Sequence, residues 1–165
     1  MHENIYKTPW SYQESEKKVL RTHTTAVSAK LIHDCCQEVK KGNQSSVWPL
    51  RYFSIDKVFR NETLDSTHLA EFHQIEGWVA GENLSLSHLM GQLREFYKNL
   101  GIEKIKFKST FNPYTEPSME VHGYHPQLNE WIELANSGIF RPEMTAAWGV
   151  DPNIRIIAWG LSLER

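Results

Sequence analysis

The segment HLAEFHQIEG, His68 to Gly77, sets two histidines, two glutamates and a glutamine around Phe72 and Ile75. On a strand, side chains two apart share a face, so Phe72, Gln74 and Glu76 point one way and His73 and Ile75 the other. A carboxylate beside an amide oxygen is an acceptor pair suited to a small ammonium group. The ordinary alternative is a polar strand face turned to water. One strand earlier Arg60 and Glu62 also share a face, and arginine's planar fork grips phosphate oxygens. An antiparallel hairpin would aim this guanidinium and three acceptors at one pocket. NPYTEPSMEV reads as a third strand on which Asn112, Tyr114 and Glu116 line up, an aromatic wall beside a metal-capable carboxylate. Pro113 and Pro117 mark it as an edge or bulged strand, and an edge made unattractive to aggregation would explain the same residues. IRIIAWGLSLER predicts a strand into Gly160 and then the start of a helix bearing Arg165, a second arginine from a different element.

These residues need elements to hold them. Ala26, Ala29, Ile32, Cys36 and Val39 fall at helical spacing and predict a helix over Thr25–Lys40 ended by Gly42. Its first turn carries Arg21, His23 and threonine hydroxyls, where free amides favour an anionic or strongly hydrogen-bonding ligand; plain capping by Thr22 or Thr24 is the simpler expectation. RYFSIDKVFRNE alternates as a strand, TLDSTHLAE supplies a polar loop, and FHQIEGWVAG alternates again, which predicts an antiparallel pair. Leu86, Leu89, Met90, Leu93, Phe96, Tyr97 and Leu100 form one helical stripe with Ser85 as N-cap and Gly101 beyond the end. IEKIKFKST, SMEVHGYH, NEWIELANSG and NIRIIAWG read as further strands. Successive strands broken by only two long helices predict an α+β fold: an antiparallel sheet flanked by helices.

Composition bounds the classes. The 165 residues suit one domain. With 40% hydrophobic and 12% aromatic residues the chain is not of disordered composition. A net charge of −2 gives no overall basic field toward a polyphosphate. The only cysteines, Cys35 and Cys36, are adjacent, so a disulfide framework is not expected and a reducing compartment is. No apolar run reaches the roughly 20 residues of a bilayer span, and the chain reads as cytoplasmic. HLAEFH spaces its histidines unlike a zinc motif, and His122 and His125 read as surface histidines around a turn at Gly123. P-loop, Rossmann and nucleophile-elbow motifs are absent from the sequence.

FRNETLDSTHLAEFHQIEG resembles motif two of class II aminoacyl-tRNA synthetases, and AWGLSLER resembles motif three in the form found in α subunits of phenylalanyl-tRNA synthetases. RTHTT and NPYTEPSMEV are similar to further signatures of that family, in wording closer to its eukaryotic and archaeal members. The resemblance implies that Arg60 binds the ATP α-phosphate, Glu62 the adenine side, His68 a place near the phosphates and Arg165 the γ-phosphate. It implies magnesium on Glu116, the substrate ammonium on Gln74 and Glu76, and His23 and Thr25 near the amino acid's polar end. Asn112, Tyr114 and Phe140 would shape an aromatic pocket with Ala158 at its floor. The implied reaction is formation of phenylalanyl-adenylate from phenylalanine and ATP, followed by transfer to tRNA(Phe), in an α2β2 enzyme with a β subunit as partner. Motif one has no counterpart upstream of His23 and the chain stops at Arg165, so residues 1–165 are expected to form one partial catalytic-core domain. A non-catalytic ligand-binding or scaffold module of the same fold is the alternative.

Overall fold

The computed structural model describes residues 9–42, 47–65 and 68–164; Arg165 lies outside the described residues. The elements are α1 (Tyr12–Ser15), α2 (Thr25–Lys40), β1 (Leu50–Phe59), β2 (Glu71–Glu82), α3 (Leu86–Asn99), β3 (Ile105–Asn112), β4 (Thr115–His125), β5 (Glu130–Phe140), α4 (Pro142–Trp148) and β6 (Ile154–Ser162). The strands form one sheet in the order β1-β2-β6-β5-β4-β3, antiparallel at every junction. This is the α+β fold that the pattern predicts.

Strand alternation divides the core in two. Val79, Met119, Val121, Ala135, Ile157 and Leu161 meet Leu89, Leu93 and Tyr97 of α3 on one face. Trp78, Ala80, Ile156 and Ala158 meet Ile32 and Cys36 of α2 and Val150 beyond α4 on the other. The helical stripes follow from their spacing. Ser28, Ile32 and Cys36 are buried at every fourth position of α2, while the Ser85–His88 capping box starts α3. Gln74 and Glu76 have the same parity as Trp78 and Ala80, so they rise from the α2 face where no helix covers the sheet. The fold opens its site there.

Several boundaries differ from the sequence pattern. β6 runs through Gly160 to Ser162, and Leu163 then donates to the His73 carbonyl. No helix begins there among the described residues, because the long strand β2 satisfies these backbone groups by continuing the ladder. NPYTEP is not one strand: β3 ends at Asn112, Pro113 and Tyr114 make a turn, and β4 starts at Thr115. β4 lies between β3 and β5 and is therefore interior. Pro117 is tolerated by the shift in register between Thr115 and Ser118, since proline has no N–H for the ladder. His122 and His125 are part of β4, not of a turn, and the His122 ring bonds Glu120 at 2.8 Å. Arg60 and Glu62 fall just past the end of β1, with the Arg60 N–H donated to Ala70. The short helices α1 and α4 escape periodicity altogether; α4 is set by Pro142 at its start and left-handed Gly149 at its end.

Candidate active site

Above the α2 packing layer the sheet floors a cavity of about 410 Å³. His23, Thr25, Arg60, Glu62, His68, Gln74, Glu76, Asn112, Tyr114, Phe140 and Ala158 all line it. β2 supplies the centre, the start of α2 one side, the β3–β4 turn and the end of β5 another.

Glu76 is 4% exposed. Its Oε2 accepts the Thr24 hydroxyl at 2.9 Å and the Thr25 hydroxyl at 2.6 Å, while its buried Oε1 has no hydrogen-bond partner among the described residues. A buried carboxylate oxygen without a donor is costly unless something fills the vacancy, and an ammonium group fits. Gln74 Oε1 accepts the Thr24 N–H at 3.3 Å, which fixes the orientation of the amide. The capping expected of Thr24 does not occur: it occupies the N-cap of α2, but its side chain makes no cap bond and serves Glu76 instead. Gly160, across from Glu76 on β6, keeps this floor clear, because a Cβ there would lie 2.9 Å from Gln74 Nε2.

Gln74 Nε2 lies 3.3 Å from His23 Nδ1, and Arg60 Nη2 lies 3.4 Å from His23 Nε2. A neutral imidazole accepts only one hydrogen bond in its ring plane at a time. Two donors therefore compete for it, and one remains for an incoming anionic oxygen. Burial, followed by the Arg60 charge, lowers the His23 pKa from 6.5, with Glu76 opposing. A depressed folded-state value means that the unfolded chain takes the proton first. His23 thus contributes stability above about pH 6.5 that is lost as pH falls toward its lowered value. Urea titrations at about pH 7.5 and about pH 5.5 check this: His23→Gln should narrow the difference between the two midpoints relative to the wild type.

Arg60 also stacks over Phe72, 5.2 Å from its guanidinium carbon to the ring centre, and approaches Glu62 at 3.8 Å. His68 bonds Asp65 at 2.8 Å beside them. This end offers a cation, a flat ring and acceptors, the chemistry of a nucleotide. Phe72 shares the strand face of Gln74, a placement that alternation alone predicts, but nothing in its spacing signals the stacked arginine. At the other end Tyr114, Phe140 and Ala158 form an apolar recess, with Phe140 held edge-on against Trp148. Burial, above all, raises the Tyr114 phenol pKa, so it stays neutral. Gly138 is obligatory beside this recess, since a Cβ would stand 2.6 Å from Thr115 Cβ and from the Pro117 carbonyl.

Glu116 stands apart. It does not line the cavity and pairs with Arg141 at 3.2 Å on the exposed side of the β3–β4 turn. Among the described residues no group of three or more potential metal ligands occurs. A magnesium ion that arrives with phosphates needs only one or two carboxylates. Within the cavity wall Glu133 and Asn136, joined at 2.9 Å on β5, provide one carboxylate and a neighbouring amide oxygen. Their i, i+3 spacing is not a strand pattern, and an irregularity between Val121 and His122 in the β4–β5 register lies beside them; sequence spacing gave no signal for the pair.

An antiparallel sheet covered by α3 on one face and opened to this cavity on the other has the architecture of a class II synthetase core. A family model for the tRNA synthetase class II core domain (F) matches residues 1–165. The chain belongs to that family. It is 58% identical to the phenylalanine–tRNA ligase alpha subunit of Dictyostelium discoideum over 94% of the chain and 31% of that relative. It is 56% identical to the Mus musculus subunit over 97% of the chain and 30% of the relative. The probable phenylalanine–tRNA ligase alpha subunit of Encephalitozoon cuniculi is likewise 56% identical, over 97% and 32%. The chain thus spans about a third of the length of these curated relatives.

Proposed function

We propose that the chain is the adenylation core of a phenylalanine–tRNA ligase α subunit, activating phenylalanine with ATP for transfer to tRNA(Phe). The observation that carries this reading is the orphan Oε1 of Glu76, set between the Arg60 end and the aromatic recess of one cavity. The amino acid's ammonium sits on Glu76 and Gln74, its ring enters the recess of Asn112, Tyr114, Phe140 and Ala158, and its carboxylate is thereby turned toward His23 and Arg60. A carboxylate oxygen attacks the α-phosphorus, the bond to the bridging oxygen breaks, and pyrophosphate leaves with the electron pair. No side chain acts as nucleophile. Arg60 and the free donor at His23 hold and neutralise the two anions, so the acceleration comes from positioning and from preorganised charge. Magnesium, held from Glu133 and Asn136 or from Glu116, would offset charge on the phosphates. Phe72 and Glu62 receive the adenine, His68 lies toward the phosphates, and Arg165 is assigned the γ-phosphate by the family resemblance alone.

The relatives' subunit names support a β subunit as partner, and an α2β2 assembly is part of the same proposal. No helix among the described residues is long and apolar enough to cross a membrane; we place the enzyme in the cytoplasm with the rest of translation. Calorimetric titration with a non-hydrolysable phenylalanyl-adenylate analogue tests the reading. Saturable binding that is lost with Glu76→Gln supports it, and no heat with a folded chain refutes it.

Ala158 gives a specificity test. One methyl more or less in an apolar pocket is worth about 1–3 kcal/mol, roughly 10–200-fold in discrimination. In Ala158→Gly the ratio of kcat/KM for para-chlorophenylalanine to that for phenylalanine should rise at least about tenfold in pyrophosphate exchange.

A further inference from the structure

Lys104, just before β3, and Lys106 and Lys108 on it fall at alternate positions, all exposed. Lys104 accepts the Tyr124 N–H on its carbonyl, Lys106 pairs with His122, and Lys108 pairs with Glu120, which in turn pairs with Asn136 of the cavity wall. Strand alternation therefore places the three ammonium groups on the cavity side of the sheet, while Ile105 and Phe107 pack toward α3. Among the described residues Lys108 alone of the three makes an ion pair, with Glu120 at 3.6 Å. The Lys104 ammonium lies 5.2 Å over the Tyr124 ring and that of Lys106 4.2 Å over the Trp131 ring. Those two rings meet edge to face at 5.7 Å. Their neighbours His125 and Ile132 are already part of the cavity rim.

Lysines on an edge strand discourage unwanted strand pairing, but that role needs neither a shared face nor flanking rings. Uncompensated cations alternating with aromatic rings are what sequence-tolerant binding of single-stranded nucleic acid uses: charge follows the phosphates, and rings stack on bases. We propose that the Lys104–Lys106 ladder with Tyr124 and Trp131 is a docking strip for the single-stranded 3′ end of an RNA that enters the cavity over the His125–Ile132 rim. It rests on the adenylation reading, which requires a tRNA 3′ end to reach the same cavity, and it adds the surface that guides it.

The probe is a short fluorescein-labelled single-stranded RNA ending in CCA, titrated with the chain by anisotropy over a range of salt. The double variant Lys104→Ala, Lys106→Ala should bind roughly tenfold more weakly at low salt. It should also flatten the slope of log K against log salt by about 1.4, at about 0.7 per single-strand phosphate lost. Trp131→Ala should weaken binding roughly tenfold with the slope unchanged, because stacking releases no counterions. Phenylalanine-dependent ATP–pyrophosphate exchange in these variants stays at the wild-type level and certifies the fold. No RNA binding by the wild-type chain, or the same affinity and slope in the lysine variant, overturns the strip and leaves the lysines as edge protection. If exchange is absent from the wild-type chain while lysine-dependent RNA binding holds, the activation reading fails and the strip stands.

Discussion

Glu76→Gln lowers kcat/KM for phenylalanine activation about a hundredfold, some 2.7 kcal/mol, within the range for removing one side of a buried charge-assisted pair. The wild-type carboxylate holds the Thr24 and Thr25 hydroxyls on one oxygen and keeps the other, buried and without a partner among the described residues, for the substrate. Glutamine preserves the shape and removes the charge. It also introduces an NH2 group: turned toward the two hydroxyls it makes both of them switch from donating to accepting, and turned toward the ammonium it sets donor against donor. The loss appears mainly in KM for the amino acid, while KM for ATP changes little. Removing an uncompensated buried carboxylate relieves the empty protein, so Glu76→Gln should melt at or above the wild-type temperature. Opposite signs in activity and stability would mark the group as one kept for a ligand.

Arg60→Ala lowers kcat about a thousandfold, the upper range for losing one preorganised donor to developing charge. Arg60 reaches His23 at 3.4 Å, lies over Phe72 and approaches Glu62, so its fork is supported from three directions before any phosphate arrives. Arg60→Lys keeps a charge but not the planar fork or the ring stack, and should recover no more than about a tenth of the loss. Single-turnover mixing of ATP with excess phenylalanine separates these effects: the chemical step slows, while amino-acid binding in the absence of ATP remains within about threefold of the wild type.

The sequence already contained most of this arrangement, in a form that strand and helix periods expose. Gln74 and Glu76 were legible as a pair because alternation fixes them on one face, and α2 from Thr25 to Lys40 was legible because its apolar residues repeat every three to four positions. What alternation could not show was where a strand stops. NPYTEP reads as extended, yet Pro113 and Tyr114 make the turn that brings Asn112 and Tyr114 to the cavity and sends Glu116 away toward Arg141. The role of Thr24 was hidden for a related reason. A threonine before a helix is expected to cap it, and only the tertiary approach of β2 reveals a stronger acceptor for its hydroxyl. Glu133 and Asn136 were invisible because strand register beside an irregularity brings them together, not their spacing.

The most direct test is ATP–pyrophosphate exchange on the purified chain with phenylalanine, with tyrosine and with no amino acid. Exchange that depends on phenylalanine, is weaker by at least about tenfold with tyrosine, as expected for a recess closed by Ala158 and Phe140, and is lost in Arg60→Ala is the result expected here. Exchange without an amino acid, or none from a folded chain that binds both substrates, would contradict the assignment of this cavity to phenylalanine activation.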